Sequence, residues 1–95
     1  MNIVNYIPFG KENAIRRAEL VIKTGMSDRK VREEIEKARR DGHIIINRQD
    51  GRGYYRTDDI SEIKSQYWQD TARALSILAR RKEMRRILKE AGYAV

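Results

Sequence analysis

Apolar positions along this chain change period several times, and the changes mark its elements. Ile3, Val4, Tyr6, Ile7 and Phe9 crowd the first ten residues around Pro8 and Gly10. A free tail seldom carries five such groups, so residues 1–10 read as an N-terminal arm that packs against the rest. Lys11 to Ile15 reads as a short helix. Ala18, Val21 and Ile22 then recur at helical spacing with Leu20 beside them, which predicts a helix from Arg17 to Thr24. Gly25 ends it, because glycine takes the left-handed conformation without a Cβ clash. Ser27 suits an N-cap, and Val31, Ile35 and Ala38 follow at i, i+4 and i+7. A second helix is therefore predicted from Asp28 to about Asp41, stopped by Gly42.

The period then becomes that of a strand. Ile44, Ile45 and Ile46 are β-branched, and Tyr54-Tyr55-Arg56 supplies a return strand. Between them, "RQDGRGYYR" contains Asp50-Gly51, the pair that suits a type I′ turn with φ > 0 at both central residues. The tyrosines alternate, which predicts one in the core and the other on the surface. From Thr57 a new helix begins, capped by Thr57, Asp58 or Asp59, and Asp59 with Glu62 fits a capping box. Acidic groups there also suit the positive end of the helix dipole. Neither proline nor glycine interrupts the chain until Gly92, so residues 58–91 read as one helix. Its stripe runs Ile60, Ile63, Tyr67, Thr71, Ala74 and Leu78, then weakens through Lys82 and Arg85 to Leu88. Leu75, Ile77, Met84 and Ile87 widen it. The expected fold is mainly α with a small β-hairpin, an α+β arrangement. It divides into the arm at 1–10, a central domain at 11–57 and a long C-terminal helix at 58–95.

Composition narrows the classes. Charged residues make up 37% of the 95 positions and aromatics 7%, which excludes a large apolar core. The chain has no cysteine, hence no disulfide framework and no thiolate metal site, as suits a cytoplasmic protein. No stretch approaches the roughly 20 apolar residues of a membrane span. "MNIVNYIPFGKEN" lacks a charged start followed by a long apolar run, so no secretion signal is expected. Net charge is +7. Residues 1–57 carry 13 basic and 8 acidic groups, residues 58–72 carry 1 and 4, and residues 73–95 carry 7 and 2. Two basic regions flank an acidic one, which points to two charged units and a polyanionic partner.

Spacing carries the sharper signal. From Gly25, serine follows at +2, Val31 at +6, Ile35 at +10, Ala38 at +13 and Gly42 at +17. A strand and a basic glycine turn come next. The two parts, "GMSDRKVREEIEKARRDG" and "GRGYY", resemble the winged helix-turn-helix domain of biotin repressors and DeoR-like regulators. Those have the form G-h-S-x-x-x-h-x-x-x-h-x-x-h-x-x-x-G, with h apolar, then G-[KR]-G-Y in the wing. The resemblance covers roughly residues 11–56. The "YIPFGKENAI" lead-in and the long final helix are also similar to small prophage-type winged-helix proteins. Nothing resembles a biotin-ligase domain. Arg16 and Arg17 stand where the family places serine or threonine, against the helix dipole.

What the resemblance implies is duplex DNA binding, with the second helix in the major groove and its first turns at the base edges. Ser27, Asp28, Arg29, Lys30, Arg32, Glu33 and Lys37 fall on that recognition helix. Arginine or lysine bridges guanine O6 and N7, and a carboxylate accepts from cytosine N4, which favours Arg29, Lys30 and Glu33 as readers. Arg48, Arg52 and Arg56 fall on the wing, against phosphates or in the minor groove. Arg16 and Arg17 would reach the DNA backbone. The plainer alternative is a solvated basic face, with Arg52 present for solubility.

No nucleophile–base pair and no P-loop occurs, so no enzyme, cofactor or metal is expected. His43 has no second ligand at metal spacing and suits a helix end, and Asp58 and Asp59 stand at a cap. The long helix asks for a partner. A homodimer, parallel or antiparallel, would place Tyr67, Thr71, Ala74, Leu75 and Leu78 at its seam. The basic end, "ARRKEMRRILKEAG", suits flanking DNA, an acidic partner or an anionic surface, and its lack of aromatics argues against a membrane. Three functions follow in order. They are a sequence-specific phage or bacterial transcription regulator acting as a dimer, a phage-type replication or packaging accessory protein, and a non-DNA adaptor.

Overall fold

The computed structural model describes residues 2–95; Met1, counted above with the arm, lies outside them. The chain forms two compact units, Met1–Ile63 and Lys64–Val95. The first holds a 3₁₀ helix at Ile3–Tyr6, a 3₁₀ turn at Lys11–Asn13, helices α1 (Arg17–Thr24) and α2 (Asp28–Arg40), and strands β1 (Ile45–Arg48) and β2 (Gly53–Arg56). Helix α3 (Ile60–Glu90) starts in the first unit and forms most of the second. The result is a small, mostly helical α+β protein with three helices and one antiparallel hairpin.

Helix α2 follows its sequence closely. Ser27 Oγ accepts from the Lys30 N–H at 3.1 Å, satisfying one of the orphan donors of the first turn. Val31, Ile35 and Ala38 are buried on one face. At the other end the Gly42 N–H donates to the Arg39 carbonyl (3.1 Å) and the His43 N–H to the Ala38 carbonyl (3.0 Å). Those bonds close a Schellman motif around Gly42, whose φ is +101°. His43 thus ends the helix through its backbone rather than its ring.

Helix α1 departs from expectation. Leu20 is its buried residue and Val21 is half-buried, whereas Ala18 is exposed and Ile22 is 81% exposed. Eight residues are too few for apolar spacing to fix which face turns inward.

Part of the N-terminal arm is built into the core, though Phe9 stays 55% exposed. Ile3, Val4 and Ile7 pack with Ile15, Leu20, Val31, Ile35, Ala38, Ile45 and Tyr54. Asn2 Oδ1 caps their 3₁₀ helix by accepting from the Val4 N–H at 3.0 Å. The two short helices and the hairpin of the first unit bury few apolar groups of their own, so the lead-in completes that unit's core.

The short helix expected at Lys11 to Ile15 is only the Lys11–Asn13 turn. Ile15 is extended, and it exchanges two backbone hydrogen bonds with Tyr54, at 2.9 and 2.8 Å. The Arg56 N–H donates to the Pro8 carbonyl (2.8 Å) and the Arg56 carbonyl accepts from Gly10 (3.0 Å). Strand β2 therefore has β1 on one edge and the N-terminal segments on the other, which covers both of its own edges.

Within the hairpin Ile45 stands opposite Arg56, Ile46 opposite Tyr55, Asn47 opposite Tyr54 and Arg48 opposite Gly53. The strand begins at Ile45, and Ile44 is exposed. The turn is not type I′. Among the described residues none but glycine has positive φ; the Gly51 N–H donates to the Arg48 carbonyl at 3.3 Å, and Gly51 alone turns left-handed within the 49–52 loop, with φ +79°. Residues 49–52 form a four-residue loop, a length that needs no second left-handed position.

Both tyrosines are buried, against the expectation that one lies on the surface. Tyr54 joins the main core. Tyr55 lies on the opposite face of the hairpin, where burial first and the Glu62 charge second push its phenol above the usual range. Glu62 is turned to that face rather than back along its own helix. The Asp59 N–H it would take in a capping box donates instead to Thr57 Oγ1 at 3.0 Å. Asp59 itself caps α3, its Oδ1 accepting from the Ser61 and Glu62 N–H groups at 2.8 and 3.2 Å.

In the second unit no α3 side chain is buried. Tyr67 and Trp68 meet edge to face, with ring centroids 5.1 Å apart. Arg86 pairs with Glu83 and with Glu90, and the Glu83 carboxyl is held below its usual range by that hydrogen bond. Gly92, with φ +91°, ends the helix as the Tyr93 N–H donates to the Leu88 carbonyl at 3.0 Å. Among the described residues no helix is long and apolar enough to cross a membrane.

Candidate nucleic-acid interface

The start of α2 presents its charges outward because Val31, Ile35 and Ala38 commit the opposite face to the core. Arg29 is 89% exposed and holds Glu33 at 3.1 Å. Lys30 holds Glu34 at 3.2 Å. These are i,i+4 pairs in water, weak enough to yield to a phosphate or a base. Lys37 and Arg40 lie exposed further along and form no ion pair among the described residues.

Asp28, the first residue of α2, is shared. Arg17 donates Nε to its Oδ1 at 2.5 Å, and Arg32 stands 2.9 Å from its Oδ2. The Arg17 hydrogen bond lowers the Asp28 carboxyl below its usual range, and Asp28 first and Tyr54 second raise Arg17. Arg17, expected on the DNA backbone, is thus tied to Asp28, expected on the recognition helix. The unfavourable arginine at the start of α1 has a neighbouring helix's acid as its counterion.

The hairpin arginines divide into two groups. Arg52 lies at the tip, 68% exposed, its Nε 3.7 Å from Asp50 Oδ2. The Asp50 carboxylate also accepts the Arg52 N–H at 3.1 Å and the Arg48 guanidinium at 2.5 Å. Partial burial works to raise the Asp50 carboxyl, but these bonds outweigh it and hold the group below its usual range.

Arg48 and Arg56 are engaged inside the fold. Arg48 donates to the Lys11 carbonyl at 2.8 Å, and its side chain is only 15% exposed. Arg56 donates Nε to the Ile7 carbonyl at 2.6 Å and stacks over Phe9, 4.4 Å from the ring centroid. Both pin the lead-in to the hairpin. Arg39 has a similar post that sequence reasoning missed: it donates to the Ile45 carbonyl at 3.1 Å and lies 6.0 Å from the Tyr54 ring centroid. A tyrosine on the second strand of the hairpin gave no local signal of it.

The two halves of the site meet through backbone. A β-carbon on Gly53 would stand 2.0 Å from the Ile15 carbonyl oxygen and 2.7 Å from the Arg16 Cα. Arg16 therefore sits against the residue that follows Arg52, and Arg17, next in chain, holds Asp28. A continuous path of neighbouring residues runs from the hairpin loop to the first turn of α2. The sequence-derived seam of α3 carries Tyr67, Ala74, Leu75 and Leu78 exposed and Thr71 half-buried, its hydroxyl donating to the Tyr67 carbonyl at 2.8 Å. No cluster of metal-ligating side chains occurs among the described residues. Comparison with protein-family models, curated proteins and solved structures finds no match.

Proposed function

We propose that the first unit binds duplex DNA as a winged helix-turn-helix, with α2 in the major groove and the 49–52 loop along the backbone or minor groove. The reading is supported by the path just described: Arg52, Arg16, Arg17 and the first turn of α2 are neighbours in sequence or in space, as contact with one duplex would require. Arg29 and Lys30 are the base readers, joined by Glu33 once its pair with Arg29 opens. Ser27 and the first N–H groups of α2 suit a phosphate. Arg52 and Arg16 carry wing-side phosphate contacts, whereas Arg48 and Arg56 hold the wing in place.

In this reading the protein is a cytoplasmic phage or bacterial transcription regulator that acts as a dimer. The bare α3 equally favours a second role, that of a replication or packaging accessory protein which holds DNA and recruits a partner.

Titration of a labelled duplex at several salt concentrations tests the reading. Affinity is expected to fall steeply with salt, at roughly −0.9 in log K against log salt for each phosphate neutralised. Affinity insensitive to salt, or no duplex binding, would return the basic face to a solvated surface and leave the adaptor role.

A further inference from the structure

Helix α3 has no buried side chain and leaves most of its apolar groups uncovered, Ile63 alone of its large aliphatic ones being half-buried, and its charge pattern selects what covers them. Written as heptads from Ile60, the a positions are Ile60, Tyr67, Ala74, Arg81 and Leu88. The d positions are Ile63, Asp70, Ile77 and Met84. Asp70 and Arg81 are the charged members of that seam. Neither forms an ion pair among the described residues; Asp70 accepts only from the Gln66 amide, at 2.9 Å. Positions three and four residues from Arg81 are Ile77, Leu78, Met84 and Arg85, so its own helix offers it no acid.

We infer that α3 pairs with α3 of a second copy in antiparallel orientation, in the register that sets Asp70 against Arg81 of that copy. When two such helices run in opposite directions, a positions face d positions. With the helices fully overlapped, Tyr67 faces Met84, Ala74 faces Ile77, Ile63 faces Leu88, and Asp70 faces Arg81. The same alignment therefore satisfies both seam charges and matches apolar to apolar. A slip of one heptad sets Asp70 against Ala74 or against Leu88 instead. Parallel pairing sets Asp70 on Asp70 and Arg81 on Arg81, like charges at the dry seam.

Charge over the whole segment agrees. The stretch 58–72, with 1 basic and 4 acidic groups, lies beside the partner's 73–95, with 7 and 2. Arg73 faces Arg80 of the second copy at the margin, where long side chains turn their charges to water. Thr71 and Leu78, expected at the seam, flank it, and Leu75 points away.

This inference rests on the dimer reading and is independent of DNA binding. The chain has no cysteine, which makes disulfide mapping direct. Sedimentation equilibrium of the full chain at tens of micromolar is expected to show a dimer. Mixed Tyr67→Cys and Met84→Cys chains are expected to form the hetero-disulfide under mild oxidation, while Tyr67→Cys alone forms little. Asp70→Arg and Arg81→Asp are each expected to raise the dissociation constant by roughly tenfold or more, and the double exchange to return it to within about threefold. Circular dichroism checks that each variant keeps its helix. A monomer overturns both the dimer and the register. A dimer whose Tyr67→Cys chains self-link, or whose double exchange fails to recover, overturns the antiparallel register alone.

Discussion

The carbonyl oxygen of Ile15 lies 2.0 Å from the point where a side chain on Gly53 would begin. Only a residue without Cβ lets the N-terminal segment reach the strand, and Gly53 also has φ +103°. Gly53→Ala is therefore expected to destabilise the fold by about 3 kcal/mol. Gly51, also left-handed but with open space around it, should lose only about 1 kcal/mol on the same change. Urea denaturation of the two variants checks this, and equal losses would contradict the close approach.

The three hairpin arginines, Arg48, Arg52 and Arg56, should separate by experiment. Arg48→Ala and Arg56→Ala each remove a bond to a carbonyl in the lead-in and should lower stability by about 1–2 kcal/mol. Arg52→Ala should change stability by less than about 0.5 kcal/mol. Its effect should appear in DNA binding, where the salt slope falls by about one unit if it holds a phosphate. Denaturation and duplex titration on the same three proteins test both halves. Loss of stability in Arg52→Ala with an unchanged slope would reverse the assignment.

Asp28 gives an acid dependence. Its carboxyl is depressed in the fold, chiefly by the Arg17 hydrogen bond. The ionised, paired form is favoured in the folded state, so its contribution is full above the unfolded value of about 3.9. It is lost as pH falls through the lower folded value. Asp28→Asn should flatten the decline in stability below about pH 4, measured by denaturation at stepped pH. An unaltered acid limb would mean that the contact contributes nothing in solution. Asp50 and Glu83 are depressed as well, so some decline should persist.

The parts of this architecture written locally were readable, and those written by long-range contact were not. Ser27, the Val31, Ile35 and Ala38 stripe and Gly42 fix α2 from one stretch of chain. The hairpin is likewise marked by β-branched isoleucines before its glycines and by tyrosines after them. By contrast, Arg48 meets Lys11 and Arg56 meets Ile7, contacts that no periodicity encodes. Both arginines read as ligand contacts because a basic residue on a wing looks the same in sequence whether it faces a phosphate or a carbonyl. Tyr55 read as half of a surface–core alternation because the cover on its face comes from a later element. Arg29, Lys30 and Arg52 are exposed, while the Arg17–Asp28 link beside them is a contact between two helices that no spacing encodes.

Base reading and phosphate holding should part under mutation. Arg29→Ala or Lys30→Ala is expected to relax preference among duplexes by about 1–3 kcal/mol at the contacted position. Arg16→Ala is expected to weaken all duplexes alike. Competition binding with single-position sequence changes distinguishes them. Uniform weakening by Arg29→Ala would move that residue to the backbone.

The most direct measurement is recovery of bound sequences from a pool of random duplex at physiological salt. The account predicts a defined site, enriched over random DNA by a factor of roughly 10³ or more, that disappears when Arg29 and Lys30 are both replaced. A pool that emerges unselected, or selection that survives their replacement, would contradict it.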